Sequence, residues 1–207
     1  MTKSSLIDCS LRSWNDETLL KAIGKFSECN VIRFRDIYAD YRIDKNIDAV
    51  IISGSKARIV YSLHRDMFAG TIDLVKQLDI PVFGICYGHQ LLCWSLGANV
   101  ASLSELVKDK FEKVRIVEVD EVFAGFEKLE MIPLAQSHYD YVLKESLDQA
   151  NLVLLADSHS CEVEAIKHKH SPFYGVQFHP ERINIKGEVH LEGYKIIENF
   201  YRNVVKR

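Results

Sequence analysis

The chain has 207 residues, of which 47% are hydrophobic and 27% are charged, with a formal net charge of −3 at pH 7. This length predicts a single domain over residues 1–207 that buries a full hydrophobic core. The slightly acidic balance excludes the strong positive potential of proteins that bind nucleic acids or anionic membranes.

Cysteine usage and hydropathy indicate the compartment. The five cysteines are odd in number and include no C-x-x-C pair. They are Cys9, Cys29, Cys86, Cys93 and Cys161. This usage favours a reducing cytoplasm over a disulfide framework. No apolar run is long enough to span a membrane, and the first residues are too polar for a secretory signal. We therefore expect a cytoplasmic protein.

The first half of the chain predicts alternating strands and helices. Predicted strands lie at residues 5–9, 30–34 and 48–52. Asn15, followed by the acidic Asp16 and Glu17, predicts the start of a first helix with an apolar face. A second helix is predicted over residues 63–78, and a third runs to about Gly97 after a fourth strand. This alternation predicts a parallel sheet covered on both faces.

From about residue 112 the pattern changes to shorter predicted strands. They lie at residues 113–119, 131–136, 151–156, 162–167 and 173–178. A closing amphipathic helix is predicted over residues 192–204. Because no Pro/Gly-rich linker separates the two halves, we interpret the change as a new layer within one fold.

The fourth predicted strand ends in an unusual turn. Gly84, Cys86 and Gly88 form a G-x-C-x-G pattern between an apolar run and a helix. This is the thiol version of the nucleophile elbow, a strained turn that exposes a nucleophile. The glycines allow the strand and the helix to approach closely, and a helix N-terminus favours the thiolate. The alternative is a buried packing cysteine, the usual state of a free thiol.

A second group of polar residues follows the last predicted strand. The side chains of His179 and Glu181 leave the same face because they lie two residues apart on an extended segment. Pro180 has no N–H and therefore belongs at a strand end. A nucleophilic cysteine needs a base, and the base needs a group that orients it. The sequence thus predicts Cys86, His179 and Glu181 as a catalytic triad. An ordinary strand histidine and a solvated glutamate are the alternatives.

These segments resemble the class I (triad-type) glutamine amidotransferases. The motifs are G-I-C-Y-G-H-Q at 84–90 and G-V-Q-F-H-P-E at 175–181, and the resemblance covers nearly the whole chain. The S-H-x-D stretch within residues 136–142 and the segment 161–168 are similar to the glutamine-hydrolysing part of GMP synthases. The resemblance implies a flavodoxin-like α/β fold, with an open, mixed and mostly parallel sheet flanked by helices. It also implies additional short antiparallel strands, and an active site at the carboxyl ends of the strands.

The resemblance also implies a role for each site residue. The Cys86 thiolate attacks the carboxamide of glutamine, while backbone N–H groups of Tyr87 and Ser55 receive the oxyanion. His179 protonates the leaving ammonia and then activates water, oriented by Glu181. The implied substrate-binding residues are Gly54, Gln90, Ser137, His138, Tyr139 and Asp140.

Two segments depart from the family pattern. Where the family has G-G-P, this chain has Ser53-Gly54-Ser55-Lys56, which places serine at the oxyanion-hole glycine. A backbone donor needs no particular side chain, but a left-handed conformation would cost serine about 1 kcal/mol. This loop leaves open a catalytically weak binding or regulatory subunit. Residues 182–190 also differ from the GMP synthase pattern, in a region that commonly meets the partner.

The chain contains no P-loop and no G-x-G-x-x-G motif, so we expect no cofactor in it. The ammonia would pass to a separate ATP-pyrophosphatase (synthetase) subunit that holds ATP and Mg²⁺. The S-H-x-D stretch favours GMP synthase, which aminates XMP, over other ammonia-donor subunits. A stand-alone γ-glutamyl hydrolase or amidase of the same fold is the other alternative. The set His159, Cys161, His168 and His170 does not have zinc-site spacing, so we also expect no metal.

Overall fold

The structure is a computed structural model that describes residues 1–12 and 17–206. Its strands are β1 (Lys3–Asp8), β2 (Glu28–Arg33), β3 (Ala49–Ile52), β4 (Val82–Ile85), β5 (Val100–Ile116), β6 (Met131–Val142), β7 (Leu152–Ser158), β8 (Ala165–His168), β9 (Phe173–Val176), β10 (Asn184–Ile185) and β11 (Glu188–Val189). Its α-helices are α1 (Glu17–Ile23), α2 (Ser62–Met67), α3 (Ala69–Val75), α4 (Tyr87–Ser95) and α5 (Glu192–Asn199). Asn15 and Asp16, predicted to begin the first helix, lie outside the described residues.

The described strands form a nine-stranded mixed sheet in the order β2-β1-β3-β4-β9-β8-β7-β5-β6. The first five in this order pair in parallel. Every residue of β3, β4 and β9 is buried. Continuous apolar strands of this kind need cover on both faces, and the core residues divide into one cluster on each side of the sheet. The α/β fold with an open mixed sheet is confirmed.

The antiparallel half differs from the prediction in length. The strands β5 and β6 have 17 and 12 residues, so the short strands predicted at 113–119 and 131–136 were wrong in length. The later strands β7, β8 and β9 are short, as expected, with 7, 4 and 4 residues. Two register shifts interrupt β5, one between Ser102 and Val107 and one between Val107 and Lys110. Bulges of this kind disturb the alternation of buried and exposed residues by which a strand is recognised. The strand β6 also extends through the predicted S-H-x-D stretch.

Two predicted helices are interrupted. Instead of one helix over residues 63–78, α2 and α3 meet at Phe68, which is fully buried. Its ring stacks on Phe34 with 4.0 Å between centroids, so packing sets the break. At the other end of the chain, α5 continues as a π-helix over Phe200–Val205. None of the described helices has both the length and the apolar character needed to span a bilayer.

Candidate active site

The turn between β4 and α4 has the geometry expected of a nucleophile elbow. Cys86 adopts φ 52° and ψ −107°, in a region that non-glycine residues rarely occupy. A Cβ placed on Gly84 would lie 2.6 Å from Gly88 O, and one on Gly88 would overlap Ile52 O. Both glycines are therefore required for the close approach of strand, turn and helix. The strained backbone presents Cys86 at the carboxyl edge of the sheet.

His179 and Glu181 follow β9, which is the neighbour of β4 in the sheet. His179 Nδ1 donates to Glu181 Oε1 at 2.8 Å, and the Glu181 side chain is 1% exposed. Burial opposes protonation of the imidazole. The negative charge of Glu181 and the neighbouring Cys86 outweigh that effect and raise the pKa of His179 well above its usual value. The fold thus brings together all three residues of the predicted triad.

The loop after β3 packs against the triad. A Cβ on Gly54 would lie 3.2 Å from His179 Cε1 and 3.7 Å from Cys86 Cβ, so a side chain here would crowd both groups. Ser53 Oγ accepts from Cys9 N–H at 2.9 Å and donates to Gly54 O. Ser55 is not among the described non-glycine residues with positive φ. The strain considered for serine at this position is therefore absent. The oxyanion roles of Ser55 and of Tyr87, the first residue of α4, stay predictions.

The strand β6 forms another wall of the site. Ser137 O lies 3.7 Å from Cys86 Sγ, which donates to it. Ser137 and Tyr139 are half-buried, whereas His138 and Asp140 alternate with them on the buried side. Gln90 Nε2 donates to Asp140 O at 2.7 Å and to Gln177 Oε1 at 3.0 Å. The amide nitrogen of Gln90 therefore holds β6 in place, which leaves only its oxygen for a contact with substrate.

Arg58 is the site residue that sequence reasoning missed. Its Nη2 donates to Asp140 Oδ1 at 2.7 Å and its Nε contacts both carboxylate oxygens, while Nη2 also donates to Ser102 Oγ. The guanidinium lies 4.2 Å from the centroid of the Tyr139 ring. The hydrogen bonds to Asp140 raise the pKa of Arg58. A single arginine in a loop has no sequence pattern, and its partner lies 82 residues away. The carboxylate of Asp140 consequently faces Arg58.

A layer of buried polar groups lies behind β6. Glu164 is fully buried, and its Oε1 accepts from Gln136 Nε2 at 2.8 Å and from Ser158 Oγ at 2.7 Å. Burial raises the pKa of Glu164 to about 7. The imidazole of His138 is 4% exposed, and burial lowers its pKa to about 4. His138 is therefore a neutral residue of this layer, and its role in holding substrate stays a prediction.

The chain matches a known protein family over nearly its whole length. The family model "Glutamine amidotransferase class-I" matches residues 6–204. The chain belongs to this family. Among its curated relatives, a glutamine-hydrolysing GMP synthase subunit of Methanothermobacter thermautotrophicus is 34% identical over 162 residues, covering 78% of this chain and 77% of the relative. The relative of the same name from Methanosarcina acetivorans is 30% identical over 184 residues, covering 86% and 90%.

A solved structure shares the fold of this amidotransferase. The crystal structure of a GMP synthase subunit-like protein from Thermoplasma acidophilum superposes with a TM-score of 0.80 at 22% identity. The match covers 97% of this chain and 92% of that one. At this identity the likeness shows the fold, an open mixed sheet flanked by helices.

The segment after Glu181 is where this amidotransferase departs from the GMP synthase pattern. Arg182 Nη2 donates to Asp109 Oδ1 at 2.7 Å, which connects the turn after β9 to the bulged part of β5. The hairpin of β10 and β11 follows, and His190 donates to Glu188 at 2.8 Å. The His190 ring also packs edge-on against Phe111 at 4.6 Å. Residues 182–190 therefore form an ordered rim joined to β5.

Proposed function

We propose that this amidotransferase hydrolyses glutamine to glutamate and ammonia through Cys86, His179 and Glu181. The observation that carries the proposal is the joint geometry of the three residues. A strained cysteine lies at a helix N-terminus, an imidazole borders the same glycine, Gly54, and Nδ1 of that imidazole lies 2.8 Å from a buried carboxylate. A nucleophile, a base and an orienting carboxylate in this order constitute the apparatus of nucleophilic acyl transfer.

The first half of the reaction forms a thioester. Cys86 Sγ bonds to the side-chain carbonyl carbon of glutamine, and the carbonyl electron pair moves onto oxygen. The backbone N–H groups of Tyr87 and Ser55 stabilise this oxyanion. When the C–N bond breaks, the His179 imidazolium gives its proton to the leaving nitrogen, which departs as ammonia. The raised pKa of His179 keeps that proton available at neutral pH.

The second half releases glutamate. Water attacks the γ-glutamyl thioester while neutral His179 takes its proton, and the Cys86 thiolate leaves. The residues that would shape the substrate site are Gly54, Gln90, Ser137, His138, Tyr139 and Asp140. Asp140 would act through its contact with Arg58. None of these steps requires a cofactor on this chain.

The proposed acceptor of the ammonia is a separate synthetase subunit. The curated relatives are named as subunits of GMP synthase, which implies a partner subunit. By this analogy the partner would be an ATP-pyrophosphatase that binds ATP and Mg²⁺ and aminates XMP. The ordered rim at residues 182–190 lies beside the catalytic turn and is therefore a suitable place for that contact. The proposed compartment is the cytoplasm.

Two measurements test the proposal. Cys86→Ala should abolish glutamine hydrolysis, and a glutamine-like alkylating reagent should label Cys86 alone. Cys93→Ala is the matched control, since Cys93 is a buried thiol on the same helix. Activity that survives Cys86→Ala, or labelling at Cys93, would refute the assignment. Full glutaminase activity without any synthetase subunit would instead favour a stand-alone hydrolase, and no activity even with the subunit would favour a regulatory role.

A further inference from the structure

A second set of sulfur, nitrogen and oxygen donors lies behind the active-site wall. One ring nitrogen of His138, Sγ of Cys161 and one carboxylate oxygen of Glu164 lie within 4.8 Å of one another. The three residues are 4%, 1% and 0% exposed. The histidines nearest to Cys161 along the chain are not part of this set. The fold instead places Cys161 beside β6.

His138 and Glu164 each have one polar atom that is held by a hydrogen bond and one that is not, whereas Cys161 Sγ donates to Val163 O at 3.3 Å and would give up that proton on binding a metal. His138 Nδ1 lies 3.3 Å from Asp140 O, which makes Nδ1 the N–H donor and leaves Nε2 with its lone pair. Glu164 Oε1 is held by two donors, as described above. His138 Nε2 and Glu164 Oε2 are both buried and have no hydrogen-bond partner among the described residues. In metal centres, a neighbouring residue typically hydrogen-bonds one polar atom of a metal-binding side chain, while the second polar atom of that side chain binds the metal.

Burying two polar atoms without hydrogen-bond partners reduces the stability of the fold unless a ligand binds them. The negative charges of a Cys161 thiolate and a Glu164 carboxylate together neutralise a divalent cation. The imidazole of His138 adds an uncharged nitrogen ligand. Mixed sulfur, nitrogen and oxygen donors suit Zn²⁺, which prefers four ligands in a tetrahedral arrangement. The fourth position is open to a water molecule or to Gln136 Oε1, which also has no partner in the described part of the chain. We propose that His138, Cys161 and Glu164 form a zinc-binding site.

The proposed metal is structural and takes no part in the glutaminase chemistry. It would join β6 to the segment between β7 and β8. His138 is adjacent to Ser137, whose carbonyl oxygen accepts a hydrogen bond from Cys86 Sγ. Zinc would therefore hold β6, the strand that contacts Cys86, in place. The position of β6 would then depend on whether the metal is bound.

The test must exclude zinc at the catalytic triad, which also offers sulfur, nitrogen and oxygen. We would therefore use Cys86→Ala as the background. After zinc loading and dialysis, elemental analysis should find about one zinc per chain. Cobalt substitution should give a thiolate-to-metal charge-transfer band, and metal should raise Tm. Cys161→Ser in this background should abolish the band, and Ser158→Ala, which removes a donor to Glu164, should weaken binding by about 10–100-fold.

Cys93→Ser in the same background is the matched control. Cys93 Sγ is buried and lies 3.7 Å from His89 Nδ1, but it is outside the cluster of three donors. This variant should keep the zinc. Zinc retained by Cys161→Ser, or lost with Cys93→Ser, would overturn the proposal. If the wild type binds zinc and Cys86→Ala does not, the metal belongs to the triad. If no variant binds zinc stoichiometrically, the three residues form a buried polar cluster without a metal, and the proposal is wrong. If circular dichroism shows that Cys161→Ser does not fold, the near-isosteric Glu164→Gln replaces it. This variant should bind zinc more weakly than the background, and an unchanged zinc affinity would overturn the proposal.

Discussion

Replacing Arg58 by methionine tests how the loop after β3 is held to β6. In the wild type, the guanidinium donates to both oxygens of Asp140, whose side chain is 2% exposed. Methionine keeps most of the side-chain volume but removes the charge and all the donors. Among the contacts described for Asp140, only Ser102 Oγ, at 3.0 Å, would then remain on the carboxylate. The variant therefore leaves a buried carboxylate with one neutral donor.

The expected cost follows from the burial of the two partners. Removing one partner of a buried ion pair costs about 3–5 kcal/mol. Because a quarter of the Arg58 side chain is exposed, water compensates for part of the loss, and we expect about half of that cost, roughly 2 kcal/mol. For a domain of this length each kcal/mol lowers Tm by about 2–4 °C, so Tm should fall by about 4–8 °C. The rate of glutamine hydrolysis should also fall, because the loop that carries Gly54 is less firmly positioned.

The chain provides a matched control for this prediction. Arg115 makes a similar two-pronged contact with Asp157 at 2.8 and 2.6 Å, but half of its side chain is exposed. Arg115→Met should therefore leave Tm nearly unchanged. Tm of Arg58→Lys should lie between that of the wild type and that of Arg58→Met, because an ammonium keeps the charge but cannot donate to both carboxylate oxygens in the bidentate geometry of a guanidinium. Thermal melts of the three variants decide the matter. Equal losses in Arg58→Met and Arg115→Met, or no loss in Arg58→Met, would refute the reasoning.

Three other predictions concern the triad and the core. Gly54→Ala places a methyl group 3.2 Å from His179 Cε1 and should lower kcat with little change in circular dichroism; unchanged kcat would contradict this contact. Glu181→Gln removes the charge that raises the pKa of His179, so the alkaline limb of the kcat/KM profile, where the imidazolium is lost, should move to lower pH. An unmoved limb would mean that another group holds the proton. Phe68→Ala empties the stack on Phe34 and should cost about 3–5 kcal/mol in urea unfolding. A cost under about 1 kcal/mol would contradict the reading of Phe68 as a tightly packed core residue.

The sequence by itself determined the parallel half of the sheet and the elbow. Strands β3 and β4 are continuous apolar runs because both of their faces are covered, and that property is visible in the residues themselves. Gly84, Cys86 and Gly88 act within five consecutive residues, so their spacing alone predicts the strained turn. The pairing of His179 with Glu181 was predictable from their two-residue spacing, but the expected extended segment was wrong: β9 ends at Val176, and Arg182 N–H donates to His179 O at 3.1 Å, so the two residues lie on a turn.

Only the tertiary structure decided which distant segments meet. The bulges of β5 follow from its pairing with β6, and the break at Phe68 follows from packing on Phe34, so neither has a local pattern. Arg58 finds Asp140 across 82 residues. Cys161 lies beside His138 because the segment between β7 and β8 reaches β6, although neither of those strands pairs with β6. Periodicity and motif spacing report the neighbours of a residue along the chain, whereas these contacts depend on how the strands are ordered in the sheet.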